Sequence, residues 1–161
     1  MAALRHLSYL KFAFLFFAGI MLCSCGTGIR MRALLGGKLQ VTTDVSVKAN
    51  ENNPIAVDLI LVYNEKLLED LIKMPSKEWF KQKYQIRRDY PEEEGFEFRS
   101  WEWVPGQQIP IQVLPLKPAA KAVLIFADYL TPGPHRSRTD PFSDIVIHLG
   151  EKDFYVETVK Y

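Results

Sequence analysis

Leu39-Gln-Val-Thr-Thr-Asp-Val-Ser-Val-Lys-Ala49, then Asn50-Glu-Asn-Asn-Pro54, then Ile55-Ala-Val-Asp-Leu-Ile-Leu-Val-Tyr63 carry the fold class in their periodicity. The first segment alternates strictly, with Leu39, Val41, Val45 and Val47 on one face. That is the period of a half-buried strand. The middle segment is a polar turn closed by proline. The third is apolar at both parities, which predicts a central strand.

Working outward, the period changes. Leu67, Leu68, Leu71 and Ile72 recur at helical spacing behind a capping Asn64, and Pro75 stops them. Ser76 reads as the N-cap of a second short helix, with Glu78 in its first turn and Trp79, Phe80 and Tyr84 as its buried stripe. Residues 90–95, with Glu92-Glu93-Glu94, read as an exposed acidic loop rather than a calcium loop, because the alternating ligand frame is missing. The second half returns to β. Residues 96–104 are aromatic-rich, and their alternation slips between Phe98 and Trp101, which predicts a bulge. Pro105-Gly106 is a turn. Pro110 and Pro115 place residues 109–116 on a sheet edge. Residues 121–129 form another core strand, 131–141 a long turn-rich loop, and 144–149 with 154–159 a closing pair around Gly150. About seven short strands interrupted once by helix predict a mainly β fold: an antiparallel two-sheet β-sandwich of transthyretin or immunoglobulin-like kind with a short helical insert.

The N-terminus predicts where that domain works. Arg5 and Lys11 are the only formal charges in the first 25 residues, and an apolar run from position 12 to 22 follows them. This is a signal helix too short to span a bilayer comfortably. Leu22-Cys23-Ser24-Cys25-Gly26 resembles the lipobox of bacterial lipoproteins, with cleavage before Cys25 and diacylglycerol on its thiol. More than one acyl chain makes such an anchor stable. Gly26 rather than Asp after Cys25 favours, by the same resemblance, the outer membrane facing the periplasm. The expected organisation is residues 1–24 signal peptide, 25–38 lipidated cysteine and flexible tether, and 39–161 periplasmic domain. Cys23 and Cys25 are the only cysteines, so the domain has neither thiol nor disulfide to work with.

Composition narrows the functions. The 161 residues are 48% hydrophobic and 24% charged, as in an ordinary globular chain. Losing Arg5 and Lys11 with the leader leaves 18 of 20 basic residues against 19 acidic ones. No basic field for nucleic acid results. No nucleophile elbow or phosphate-cradling loop is present, and no cofactor or small-molecule substrate is expected. His135 with Asp140 is the nearest approach to a catalytic pair, but a solvated loop histidine is the plainer reading. Trp101 and Trp103 share a parity and read as core before they read as a sugar platform. His135, Arg136 and Arg138 give the 131–141 loop a positive tip fit for a protein contact.

The order of features carries a resemblance. Lipobox, alternating strand, Pro54-Ile-x-Val-x-Leu-x-x-Val-Tyr63, helical insert, Pro105-Gly106, and then Ala122-Val-Leu-Ile-Phe-Ala-Asp-Tyr129 resemble the TssJ-type outer-membrane lipoproteins of type VI secretion systems. The resemblance implies a non-enzymatic scaffold that binds the periplasmic domain of the inner-membrane subunit TssM. It implies that a loop between early strands carries much of the contact. The matching residues here are Asn50, Glu51, Asn52 and Asn53, with the 131–139 loop as second choice. The alternatives are a periplasmic lipoprotein that takes a small ligand or glycan on Trp101 or Trp103, and a hydrolase using His135 and Asp140.

Overall fold

The computed structural model describes Met31, residues 33–92 and residues 94–159. The expected leader, Cys25 with its neighbours, Arg32 and Glu93 lie outside the described residues. Among the described residues from Lys38 on, eight strands and two regular helices follow one another: β1 (Lys38–Val45), β2 (Ile55–Val62), α1 (Glu65–Leu71), α2 (Ser76–Asp89), β3 (Phe96–Trp103), β4 (Gln112–Pro115), β5 (Ala122–Ala127), β6 (Arg136–Thr139), β7 (Ile145–Leu149) and β8 (Phe154–Thr158). They build two four-stranded sheets, β4-β1-β7-β8 and β3-β2-β5-β6. The mainly β two-sheet sandwich is therefore present. One detail differs: β1 and β7 run parallel, while every other pair is antiparallel. β4 and β7 flank β1 in the first sheet, and β7 enters it in the direction of β1, so this middle pair is parallel.

The layers explain the residue pattern. β1 buries every second residue and shows the rest to solvent. In β2 and β5 nearly every residue is buried, because their sheet is covered twice. Leu39, Val41, Ile55, Val57, Leu59, Ile125, Ile145 and Ile147 fill the space between the sheets. Ile60, Val62, Leu124 and Phe126 point the other way, onto Leu67, Leu68, Leu71 and Trp79 of the helices. Each fully buried aliphatic side chain contributes about 1.5–3 kcal/mol.

β3 shows no bulge. Its register with β2 is unbroken from Ile55↔Trp103 to Val62↔Phe96. The slip in its alternation has another cause: Phe96 and Phe98 face the helices, whereas Trp101 and Trp103 face the inter-sheet core. Each end of one regular strand buries a different face. Val47, expected to face inward, is 73% exposed, because β1 ends at Val45 and the chain turns there. The 131–141 segment, expected to be loop throughout, contains β6.

The helical layer is fixed by a buried charge. Asp58, on the helix-facing side of β2, accepts hydrogen bonds from Trp79 Nε1 at 2.7 Å and Lys83 Nζ at 2.8 Å. Both ionic side chains are almost wholly buried. The buried stripe of α2 is thus Ser76, Trp79 and Lys83, and Tyr84 is exposed. Ser76 is the first helical residue rather than the cap, which is Pro75, and it makes no capping bond. Asn64 does cap α1, accepting from the Leu67 N–H at 3.0 Å.

Removing one partner of a buried ion pair strands the other, at a cost of about 3–5 kcal/mol. Asp58→Ala is therefore expected to lower the unfolding free energy by that amount in urea titration, and far more than the exposed control Glu69→Ala. A loss below about 1 kcal/mol would show the pair to be dispensable.

Candidate functional site

The loops of this sandwich gather at two ends. β1 carries the chain away from the 33–37 turn, and its eight residues span about 25 Å. At the far end lie residues 46–54, the Pro105-Gly106 turn, residues 128–135 and residues 150–153. The sequence-predicted residues Asn50, Glu51, Asn52, Asn53 and His135 are all here.

Asn50, Glu51 and Asn52 are left-handed, with φ of 47°, 55° and 62°. Three such residues in a row are costly for side chains other than Gly, although asparagine tolerates the conformation best. What holds the strained turn is Asn50, which is 1% exposed. Its Nδ2 donates to Pro54 O at 2.8 Å and its Oδ1 accepts from the Leu130 N–H at 2.7 Å. The backbone N–H groups of Asn50 and Glu51 donate to Gly150 O and Glu151 O at 3.2 and 3.1 Å. Asn53 Nδ2 closes the turn on Asn50 O and Glu51 O. A polar loop by composition is therefore stitched to two other loops. Asn50 acts as a clamp, and Glu51, Asn52 and Asn53 are presented to solvent.

His135 is not the solvated loop histidine expected. It is 3% exposed, its ring stacks on Tyr129 at 4.9 Å, and its φ is 39°. Nδ1 lies 2.9 Å from Asp153 Oδ1 and Nε2 lies 2.8 Å from Thr131 O. Gly133 makes room for the ring: a Cβ there would sit 2.8 Å from it. Asp140 belongs elsewhere. It follows β6, whereas His135 precedes it, and it accepts from Ser143 Oγ at 2.6 Å. The His135–Asp140 pair is not assembled. Beneath the histidine, Tyr129 OH donates to Gly150 O at 3.1 Å. Burial first, and then the nearby Asp153 charge, push this phenol well above its usual range.

Arg136 and Arg138 are strand residues of β6, not a loop tip. They sit opposite Phe126 and Leu124, so they share the face that meets the helices. Arg136 donates to Met74 O at 2.8 Å, and Arg138 is exposed. Trp103 is buried and stacked on a half-buried Trp101 at 5.3 Å, so the two form core rather than an open platform.

The sequence reading missed the apolar side chains at this end. Val47, Val104 and Leu130, from three different loops, are 73%, 49% and 56% exposed. Gly106 ties two of these loops together: its N–H donates to Ser46 O at 3.1 Å, and a Cβ there would sit 3.1 Å from Val47 Cγ1. Val47 was hidden from sequence by its place in the parity of β1. The opposite end carries a cavity of about 350 Å³ lined by Tyr63, Glu92, Glu97 and Lys117. There Tyr63 OH donates to Glu97 at 2.7 Å. Among the described residues no cluster of three metal-ligating side chains exists, and no helix is long and apolar enough to cross a membrane.

A helix-backed β-sandwich that presents braced loops at one end is the class of domain these features define. No protein-family model matches the chain, and no curated protein does. Solved structures do. The type VI secretion lipoprotein TssJ1 from Pseudomonas aeruginosa superposes with a TM-score of 0.61 at 12% identity, covering 78% of this chain and 98% of that one. Lip from Serratia marcescens, a membrane-bound component of the type VI secretion system, gives 0.55 at 12% identity, over 76% and 97%. A structure of the TssM C-terminal domain from EAEC gives 0.53 at 13% identity, over 76% and 97%. At these identities the likeness is one of fold, and the chain has a TssJ-type fold.

The clamp makes a two-variant prediction. Asn50→Ala loses the side-chain bonds and also strains the left-handed backbone, costing about 3 kcal/mol; Asn50→Gly keeps the backbone at ease and costs about 1 kcal/mol less. Urea unfolding of the two variants checks the order. Equal stability of both with the parent would mean that the turn needs no clamp.

Proposed function

We propose that the chain is a periplasmic scaffold lipoprotein of a type VI secretion system, anchored in the outer membrane by lipid on Cys25. It binds the periplasmic domain of an inner-membrane TssM-like subunit through the loops farthest from that anchor. The observation that carries the reading is the braced left-handed turn at Asn50, Glu51 and Asn52, placed at the end opposite the tether of a TssJ-type fold. The lipobox at Leu22-Cys23-Ser24-Cys25 supports the anchor.

The geometry divides the labour among the candidate residues. Glu51, Asn52 and Asn53 are exposed for direct contact, and Val47, Val104 and Leu130 supply apolar area beside them. A patch with an apolar centre and a polar rim is the usual anatomy of a protein interface. Asn50 and His135 position this surface from below. Arg138 lies on the flank of β6, at the border of the contact. A loop already held in its binding shape loses little entropy on association.

The reading that the domain takes a small ligand loses its tryptophan platform. The cavity at Tyr63 remains, but its phenol and carboxylate already satisfy each other.

Calorimetry with the periplasmic domain of the organism's TssM-like protein tests the proposal. Binding at micromolar affinity or tighter, about −8 kcal/mol, is expected. Glu51→Ala with Asn52→Ala, or Leu130→Asp, should weaken it at least about tenfold, or 1.4 kcal/mol. No heat from a folded protein would remove the scaffold reading.

A further inference from the structure

In the described part of the tether, one small side chain is buried in the domain. Ala33 is 4% exposed and belongs to the inter-sheet core. Around it the chain makes a helical turn: the Leu35 N–H donates to Met31 O at 3.0 Å and the Gly36 N–H to Ala33 O at 3.2 Å. Gly36, at φ +76°, ends the turn. Pinning Ala33 inward sends its large neighbours outward. Met31, Leu34 and Leu35 are 52%, 67% and 80% exposed, and Leu35 is the most exposed large apolar side chain among the described residues. Single exposed apolar residues are ordinary, but three on one turn mark a contact surface.

Three observations say what covers it. The first is chain length. Cys25 precedes Met31 by six residues, so a lipid on Cys25 lies within about 20 Å of the turn. The second is charge. Arg30, Arg32 and Lys38 share this stretch, and no acidic residue occurs before Asp44. A basic, apolar segment suits an anionic lipid surface. The third is direction. β1 leads away from the turn, so the strained loop at Asn50 stands at the opposite end.

We propose that Met31, Leu34 and Leu35 form a membrane-contact surface that inserts into the boundary between headgroups and acyl chains, beside the lipid on Cys25. This rests on the lipoprotein reading above and adds an orientation to it. The lipid chains hold the protein at the bilayer, and the turn stands the sandwich upright with its distal loops away from the membrane. Without such a second contact, a glycine-bearing tether would let the domain tumble.

The test uses the full chain, processed and lipidated in a cell. It is reconstituted into vesicles of phosphatidylethanolamine and phosphatidylglycerol that carry brominated acyl chains. Leu35→Cys, and separately Val47→Cys at the far end, take an environment-sensitive fluorophore. Lipid blocks the thiol of Cys25, and both positions are exposed, so neither label disturbs packing. The expected result is at least about twofold quenching at position 35, as insertion to acyl depth requires, and none at position 47. Absence of quenching at position 35 in a lipidated chain overturns the inference and leaves the lipoprotein reading standing. Equal quenching at both positions also overturns it, as does shielding of position 35 that rises only with protein concentration, which assigns the turn to a second copy. The mass of the processed N-terminus is the separate control. If Cys25 carries no acyl chains, the lipoprotein reading falls and the inference falls with it.

Discussion

The two middle strands of one sheet have no solvent face, and the rest of the structure follows from covering them. β2 and β5 are apolar at both parities, so water must be excluded from both sides. The other sheet covers one side and α1 with α2 cover the second. The buried carboxylate on the helix side, Asp58, decides how the helices sit, because it must meet Lys83 and the Trp79 indole. A buried charge without these partners would cost several kcal/mol. Trp79 then stacks on Phe126 at 5.2 Å and meets the edge of Phe96, locking the second core.

That constraint reaches the distal loops. The start of α2 is tied to the 128–135 segment by Ser76 N–H to Pro134 O at 2.9 Å and by Lys77 to Asp128 at 2.7 Å. Arg136 reaches the connection between α1 and α2 through Met74 O. The 128–135 segment holds Asn50 through the Leu130 N–H, and Asn50 holds the left-handed turn. Burial of the central sheet, placement of the helices and the shape of the exposed loop are thus links in one chain of contacts. A domain built this way presents a fixed surface at the end opposite the start of β1.

Much of this was legible in the residues. Alternation marked β1, unbroken apolar runs marked β2 and β5, and helical spacing marked α1. What stayed hidden depended on contacts between distant positions. The slip at Phe98 and Trp101 read as a bulge because one strand alone does not tell which of its faces a helix will cover. Lys83 was passed over for Tyr84 because an apolar stripe is read by hydrophobicity, and its partner Asp58 lies 25 positions away. His135 was matched to Asp140, five positions on in sequence, when its partner is Asp153, brought in by the β7–β8 turn. The Asn50–Asn53 loop could be singled out by resemblance. Its left-handed backbone had no signal beyond the run of asparagines.

Hydrogen exchange of the whole domain, with and without the periplasmic domain of the TssM-like protein, tests the central claim most directly. The account predicts new protection confined to residues 46–54, 128–135 and 150–153, with α1, α2 and the Tyr63 end unchanged. Protection centred on the helices or on the 33–37 turn would contradict it, because the partner would then occupy a surface that the fold reserves for other contacts.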